Sequence, residues 1–411
     1  MEKITGKTLV TTDWHFGIKS NSVSRLNILV KVVNEINRYI KGNKIRNLVF
    51  MGDLFHNRNN LSVQTINVAL KCINTLAKSC NVYLIIGNHD LFNKNSVEVN
   101  SLNMFRNTKN VTVIDCPTEY EMNGEKVLMC PWLSDLSKYS ESTYDKLFGH
   151  FDISFKFLVA SYIESNTSKN MTNKEVKELI EKDEIFRESE LDDLDFDTED
   201  ETETYMNGEK SSELIGSWTN IVKEKGTIFS GHIHGHREFF TNNRKFIFVG
   251  SPYQQTRGEK DSKDGFYIIN EDGNYSFNEI ASAPIHVDIR MSDVVKDISK
   301  FDFSIVKNSI VHKIYDIEID RVTDAKIAQM ITDNKPYEEL TPDFDVAQTY
   351  TDENGTNIDS VDALKKSKIE YLHNYIDNIE GNVLTDNSLE REKLHSCMEE
   401  YYNMINEGNT K

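Results

Sequence analysis

The sequence has no long hydrophobic run. None of its stretches approaches the roughly 20 apolar residues that a membrane helix requires, and no apolar signal region precedes the first strand after Met1-Glu2-Lys3-Ile4-Thr5-Gly6-Lys7. Membrane insertion and export are therefore not expected. Cysteine is sparse: five residues, at positions 72, 80, 116, 130 and 397, odd in number and without Cys-x-x-Cys spacing. That argues against a disulfide framework and against a thiolate zinc site, and makes reduced cytoplasm the expected compartment. Basic charge is also short, with 47 Lys and Arg against 66 Asp and Glu and a net charge of −19. Such a balance is unusual for a protein that binds nucleic acid through its phosphates.

The acidic excess is concentrated. Between residues 181 and 203 thirteen acidic side chains face only Lys182 and Arg187, a local charge of −11 that leaves −8 for the rest of the chain. Bound divalent cations would raise the potential of a site further. What remains fits a globular protein: 38% hydrophobic and 10% aromatic residues support a core, and 411 residues suffice for two or three domains.

What the sequence does contain is a repeated strand ending. Residues 47–51 form an apolar run that stops at Gly52-Asp53, with His56 three residues on. A buried parallel strand delivers a carboxylate in this way to the carboxyl-terminal rim of an α/β sheet, where such folds place their ligands. Three further runs end alike: 8–12 at Asp13-Trp14-His15, 82–86 at Gly87-Asn88-His89-Asp90, and 227–230 at Gly231-His232-Ile233-His234-Gly235-His236. Any one of them could be a turn, since Gly-Asp and Gly-Asn are turn dipeptides. Four in the same context, carrying six of the eleven histidines, point instead to a metal site with Asp53 as its pivot. A shorter apolar approach at 147–148 ends at Gly149-His150, the weakest candidate ligand on local grounds.

Between these strands the periodicity is helical. Leu26, Leu29, Val30, Val33, Ile36 and Ile40 predict an amphipathic helix within 21–41, and Val63, Ile66, Leu70, Ile73 and Leu76 predict a second, so helices cover a parallel sheet. Strands are predicted near 111–114, 126–129 and 245–249, with 265–270 as an edge. The charged stretch of about 166–212 reads as a solvated, partly helical insertion rather than a regulatory or partner-binding element. Alternating strands around 285–290 and 309–319, then a helix near 323–331, predict a small α+β domain over 284–334, with His286 and His312 structural. Residues 335–361 read as a linker, and 362–411 hold two amphipathic helical segments. Those helices either pack on the body or form a docking module for a partner.

Asp and Asn oxygens mixed with neutral imidazoles suit Mn²⁺, Fe²⁺ or Zn²⁺. With a carboxylate able to bridge, they suit two ions roughly 3.5–4 Å apart that activate a water at a phosphoryl centre, the chemistry of phosphoester hydrolysis. In order and spacing, Asp13-x-His15, Gly52-Asp53-x-x-His56, Gly87-Asn88-His89-Asp90, Gly149-His150 and Gly231-His232-x-His234 resemble the five motifs of the calcineurin-like metallophosphoesterases. Leu54-Phe55-His56, Asp90 and the Gly-His-Phe-Asp-Ile at 149–153 are similar to the SbcD nuclease branch, which includes recombination endonuclease subunits of T-even-type phages. The resemblance covers about 7–256 by motif, and the remainder by layout only.

The resemblance implies an α/β fold, a four-layer sandwich of two sheets flanked by helices over residues 1–283, followed by the small α+β capping domain and a C-terminal helical tail. It implies two divalent ions, manganese foremost. One would be held by Asp13, His15, Asp53 and His234, the other by Asp53, Asn88, His150 and His232, with Asp53 bridging. His89 falls at the family's position for helping the leaving oxygen depart, and His56 at the one tied to exonuclease work. The implied activity is a 3′→5′ double-strand exonuclease and single-strand endonuclease acting on DNA in recombination and repair. The implied partner is an SbcC-type SMC-like ATPase, bound through 362–411, in a heterotetramer built on a homodimer.

Two features depart from the pattern. His236 adds one more alternate imidazole and, with Asp90, is read as an outer-shell residue; the acidic insertion could hinder DNA or mimic it. Small phosphodiesters or cyclic nucleotides are the alternative substrates. Protein phosphatases of this fold carry an Asp-Arg-Gly element after Gly-Asp, which 54–58 lack. A non-catalytic scaffold would have lost ligands, whereas all seven positions here hold liganding residues.

Overall fold

The computed structural model describes residues 1–93, 96–139, 143–151, 221–241, 243–340, 342–344, 349–351 and 357–359. The acidic insertion at about 166–212 and the helical segment 362–411 lie outside the described residues. Two compact units divide the chain, Met1–Ile285 and His286–Lys411. Among the described residues no helix is long and apolar enough to cross a membrane.

The apolar runs of the first unit build two sheets. The six-stranded one contains β2 (Thr8–Thr11), β3 (Asn47–Met51), β4 (Asn81–Ile85) and β7 (Val111–Ile114), parallel in that order. It is completed by β14 (Gly265–Ile269) and β15 (Tyr275–Glu279), with β14 antiparallel to β2. The stretch predicted as an edge is thus an inner strand. Tyr275 and Phe277 of β15 pack against the core, which gives the sheet a reason to add one strand more. A hairpin, β5 (Leu91–Asn93) with β6 (Ser96–Asn100), follows β4.

The seven-stranded sheet runs β1 (Glu2–Ile4), β8 (Thr118–Met122), β9 (Glu125–Cys130), β10 (Tyr144–Gly149), β11 (Val222–Ser230), β13 (Arg244–Phe248) and β12 (Arg237–Thr241). Strands β9, β10, β11 and β13 are parallel, and β12 folds back antiparallel to β13.

The sheets face one another across a single core. Val10, Val49, Met51, Tyr83, Ile85 and Tyr267 of one meet Val127, Met129, Phe148, Phe229 and Ile247 of the other. Fully burying a side chain of this size contributes about 1.5–3 kcal/mol, so this interface is a large part of the unit's stability. The alternate residues Leu9, Leu48, Phe50 and Leu84 point to the opposite side and are buried too, which is why these strands read as unbroken apolar runs. Helix Val23–Gly42 covers that side: its Tyr39 ring packs edge-on against Phe266 of β14 at 5.0 Å. Its start is set by Ser22, whose side chain accepts from Arg25 N, and that of helix Val63–Ala77 by Ser62, which accepts from Thr65 N. Leu128, Leu147 and Ile228, on the far face of the seven-stranded sheet, are buried as well, so both sheets are covered on both sides.

In the second unit β16 (His286–Arg290), β17 (Ile310–Tyr315), β18 (Glu338–Glu339) and β19 (Asp343–Phe344) form a parallel sheet with helices Met291–Lys296 and Arg321–Asp333. Asp320 starts the second helix by accepting from Val322 N and Thr323 N. Ile289, Val294, Phe303, Val306, Val311, Ile327 and Ile331 make a core of its own. His286 and His312, on adjacent strands of this sheet, stack with 2.7 Å between their facing ring nitrogens. A short pair, β20 (Thr349–Thr351) with β21 (Asn357–Asp359), lies beyond.

Candidate metal centre

The parallel strands point their carboxyl ends the same way, and that shared rim gathers the candidate ligands. The β2–β3 ladder continues past both strands: Asp13 N donates to Gly52 O at 3.0 Å, His15 N to Asp53 O at 3.1 Å and Phe16 N to Leu54 O at 2.8 Å. The first two motifs are thereby locked in register. The geometry is strained, because Asp13 (φ 54°), His15 (φ 49°), Asp53 (φ 58°) and His232 (φ 82°) all occupy the left-handed region. Each such residue costs on the order of 1–3 kcal/mol and persists only where the surroundings demand it.

Two glycines make the close approach of the loops feasible. A Cβ on Gly52 (φ 92°) would lie 2.6 Å from His150 Nδ1, and one on Gly87 would lie 2.3 Å from both Asp53 N and Asp53 Oδ1. The Gly-Asp and Gly-Asn dipeptides therefore let three loops close on one point.

Asp53 sits at that point and is 2% exposed. Its Oδ2 is 3.6 Å from His15 Nε2 and 3.4 Å from His150 Nε2, while Oδ1 accepts from His89 N at 2.8 Å. On one side of it, His234 Nε2 is 3.1 Å from His15 Nε2, and His15 Nε2 is 3.8 Å from Asp13 Oδ1. On the other, Asn88 Oδ1 lies 2.8 Å from His150 Nε2 and 3.3 Å from His232 Nδ1. His232 N also donates to the Asp13 carboxylate, at 3.1 Å to Oδ2. His150 Nδ1 donates to Met51 O at 2.8 Å, which leaves Nε2 for the centre. The structure thus brings together Asp13, His15, Asp53, Asn88, His150, His232 and His234 in two sets with Asp53 between them.

His56 and His89 border the first set. His15, His56 and His89 offer ring nitrogens within 4.8 Å of one another, and the sets Asp13, His15, His234 and Asp13, Asp53, His150 bring their imidazole nitrogens and carboxylate oxygens equally close. His89 Nδ1 donates to His56 O at 2.6 Å, and the His56 and His89 rings stack at 5.6 Å. Asp90 serves the loops rather than the centre: its carboxylate accepts from Asp53 N, Leu54 N, Phe55 N and Gly87 N at 2.9–3.3 Å. The structure does not bring His236 into these sets. Its Nδ1 is 3.2 Å from Phe248 O, its Nε2 3.4 Å from Tyr267 Oη, and its ring stacks on Phe277 at 4.1 Å.

The electrostatics of the cluster favour ionised carboxylates. Burial works against ionised Asp13 and Asp53, yet the His15 hydrogen bond to Asp13 and the His150 charge beside Asp53 hold both carboxyls below the ordinary range. Burial likewise disfavours charged His150, but the Asp53 carboxylate lifts it to about 9. His234 is raised against its burial by Glu259, whereas burial and neighbouring imidazoles lower His56 to about 4. The buried carboxylates thus depend on neighbouring positive charge to stay ionised, which divalent ions would supply. The donor set of oxygen and imidazole nitrogen, without thiolate, fits such ions.

Sequence reasoning missed Trp132, whose ring lies against His150 at 5.8 Å and His232 at 5.3 Å, and Glu259, whose Oε1 is 3.1 Å from His234 Nδ1. Trp132 was visible only as part of an unremarkable Cys-Pro-Trp-Leu stretch. Thr256-x-x-Glu259 carries the signature of a helix cap, which hides any other role.

A buried cluster of carboxylates and imidazoles at the strand ends of two stacked sheets defines a metal-dependent hydrolase of phosphoesters. The chain belongs to the calcineurin-like phosphoesterases, whose family profile matches residues 6–236. Over 266 residues it is 24% identical to a protein named exonuclease subunit 1 from Enterobacteria phage T4, a match covering 64% of this chain and 64% of that one. The match thus spans just under two thirds of the relative's length. A solved structure described as a novel archaeal phosphodiesterase is 9% identical and aligns with a TM-score of 0.31 over 67% of this chain and 99% of that one.

Proposed function

We propose that the chain is the nuclease subunit of a DNA-processing assembly, a 3′→5′ double-strand exonuclease and single-strand endonuclease that works in recombination and repair. The observation that carries this reading is the convergence of six ligand-type side chains around Asp53, with His89 beside them. The similarity to a phage protein named as an exonuclease subunit supports DNA as the substrate.

Two divalent ions, manganese foremost, would be held by Asp13, His15, Asp53 and His234 and by Asp53, Asn88, His150 and His232. They would supply Lewis-acid charge and an activated water at the phosphoryl centre. The protein's own part is positional. His89 N fixes Asp53 Oδ1, and the His89 ring, held by His56 O, keeps Nε2 for a phosphate or leaving oxygen. His56 stays uncharged near neutral pH and backs that ring.

The test is Mn²⁺-dependent degradation of an end-labelled duplex, run beside hydrolysis of a cyclic nucleotide. Duplex shortening from 3′ ends that stops on chelation is the expected result. Turnover of the cyclic nucleotide with the duplex untouched would mean that the centre is used on small phosphodiesters and that the DNA reading is wrong.

The word subunit in the relative's name also supports a partner. We assign that role to an SbcC-type ATPase bound through 362–411, with the chain itself a homodimer in the heterotetramer. Deleting 362–411 is expected to abolish co-purification with the ATPase and to leave cleavage of simple DNA within a few-fold of the full chain. Undiminished co-purification would refute the assignment.

A further inference from the structure

Glu259 is a buried carboxylate that the reading above does not use. It is 3% exposed and closes the short turn Arg257–Glu259. Its Oε2 accepts from Gln255 N at 2.7 Å, and its Oε1 accepts from Thr256 Oγ1 at 3.1 Å and lies 3.1 Å from His234 Nδ1. Taking such a charge out of water is costly, and cap hydrogen bonds alone could be made by a neutral side chain. We propose that Glu259 is a positioning residue that fixes the tautomer and orientation of His234, and so sets the affinity of one of the two metal sites. This rests on the two-metal reading.

An ionised carboxylate only accepts hydrogen bonds, so His234 Nδ1 must carry a proton toward Glu259. The other nitrogen, Nε2, is then the one that faces His15 Nε2 at 3.1 Å. A carboxylate behind a ligating imidazole both orients the ring and makes its free nitrogen more basic. The same loop holds a second ligand. Gln255 Nε2 donates to Asp13 O at 2.6 Å, and Tyr253 Oη donates to Trp14 O at 3.2 Å. Segment 251–259 therefore buttresses the Asp13, His15, His234 set from behind. In the other set, His150 is held by Met51 O, and Asn88 lies against His150 and His232. Glu259 touches His234 directly, so damage to it falls first on the site that His234 serves.

The experiment titrates the metal-stripped full chain with Mn²⁺ alone and counts bound ions by calorimetry and by the electron paramagnetic resonance of free Mn²⁺. Wild type is expected to take two ions. Glu259→Ala should weaken one site about 10- to 100-fold and leave the other within about twofold. Glu259→Gln, which retains an oxygen for the His234 Nδ1 proton, should fall between. Thr256→Ala removes a cap contact to the same carboxylate without touching His234, and should leave both sites unchanged. Equal weakening of both sites by Glu259→Ala, or of neither, overturns the role of Glu259; so does a Thr256→Ala effect as large as that of Glu259→Ala. Failure of wild type to take two ions would instead overturn the two-metal reading. A readout independent of any variant is the ¹⁵N spectrum of histidine-labelled wild type. His234 should show a protonated Nδ1, and a ring protonated on Nε2 but not on Nδ1 would overturn the proposal.

Discussion

Replacing Asp53 with asparagine is expected to lower phosphodiester hydrolysis on the order of 10³-fold or more, and to reduce bound metal from two ions to at most one. The change is nearly isosteric, so the argument lies in charge and donor pattern. Asp53 Oδ1 can still be imitated by the amide oxygen and accept from His89 N. The other position becomes an NH₂ facing His15 Nε2 and His150 Nε2, at 3.6 and 3.4 Å in the parent. A donor then stands where a cation would lie, and a ligand shared by both sets is lost. Several kcal/mol of electrostatic stabilisation disappears with it, and about 1.4 kcal/mol corresponds to a factor of ten in rate. Metal analysis of the purified variant beside its rate checks both halves. Two retained ions with a near-parental rate would remove Asp53 from the centre.

The same substitution has a signature in the metal-free protein. His150 is raised to about 9 by the Asp53 carboxylate against its own burial. A folded-state value above the unfolded one, 6.5, means that its proton adds stability that is complete below pH 6.5 and is lost as pH rises through about 9. Urea unfolding of the stripped wild type should therefore weaken across that window, and the Asp53→Asn protein should show a flatter profile.

Much of this arrangement could be read from residue order because the ligands travel on parallel strands. A strand buried on both faces must be apolar throughout, so the first Asp, Asn or His after it marks the sheet's rim. That holds for Asp13 after β2, Asp53 after β3, Asn88 after β4 and His232 after β11. Helix positions followed from periodicity, since Leu26, Leu29, Val33 and Ile36 face a covered sheet. What residue order does not carry is which sheet a strand joins. Strand β14 lies between β2 and β15, more than 200 residues from the former, and only the shared core of Val10, Tyr267 and Phe277 explains it. The supports of the centre were hidden for a related reason. Glu259 reaches His234 across 25 positions from inside a cap motif, and Trp132 meets His150 and His232 from the end of β9. His236, read from its alternate spacing as an outer-shell residue, lies just before β12 and faces Tyr267 and Phe277.

His89→Asn should leave both metal sites filled while the rate on DNA falls about 10²- to 10⁴-fold, the usual worth of a positioned proton donor. The backbone N of residue 89 is the group that binds Asp53 Oδ1, so that contact survives any side-chain change. Asparagine carries an amide nitrogen near the place of the imidazole Nδ1, and can keep the hydrogen bond to His56 O that holds the side chain. What it lacks is the rest of the ring, and with it Nε2. Loss of metal from this variant would move His89 into the ligand set and sink its assignment to the chemistry. The two roles open to Nε2 separate on the leaving group. If Nε2 protonates the departing oxygen, a nitrophenyl phosphodiester, whose leaving group departs as a stable anion, should be hydrolysed by the variant with a defect far smaller than on DNA. If Nε2 orients the phosphate, both substrates engage it alike, and the two defects should agree within a few-fold.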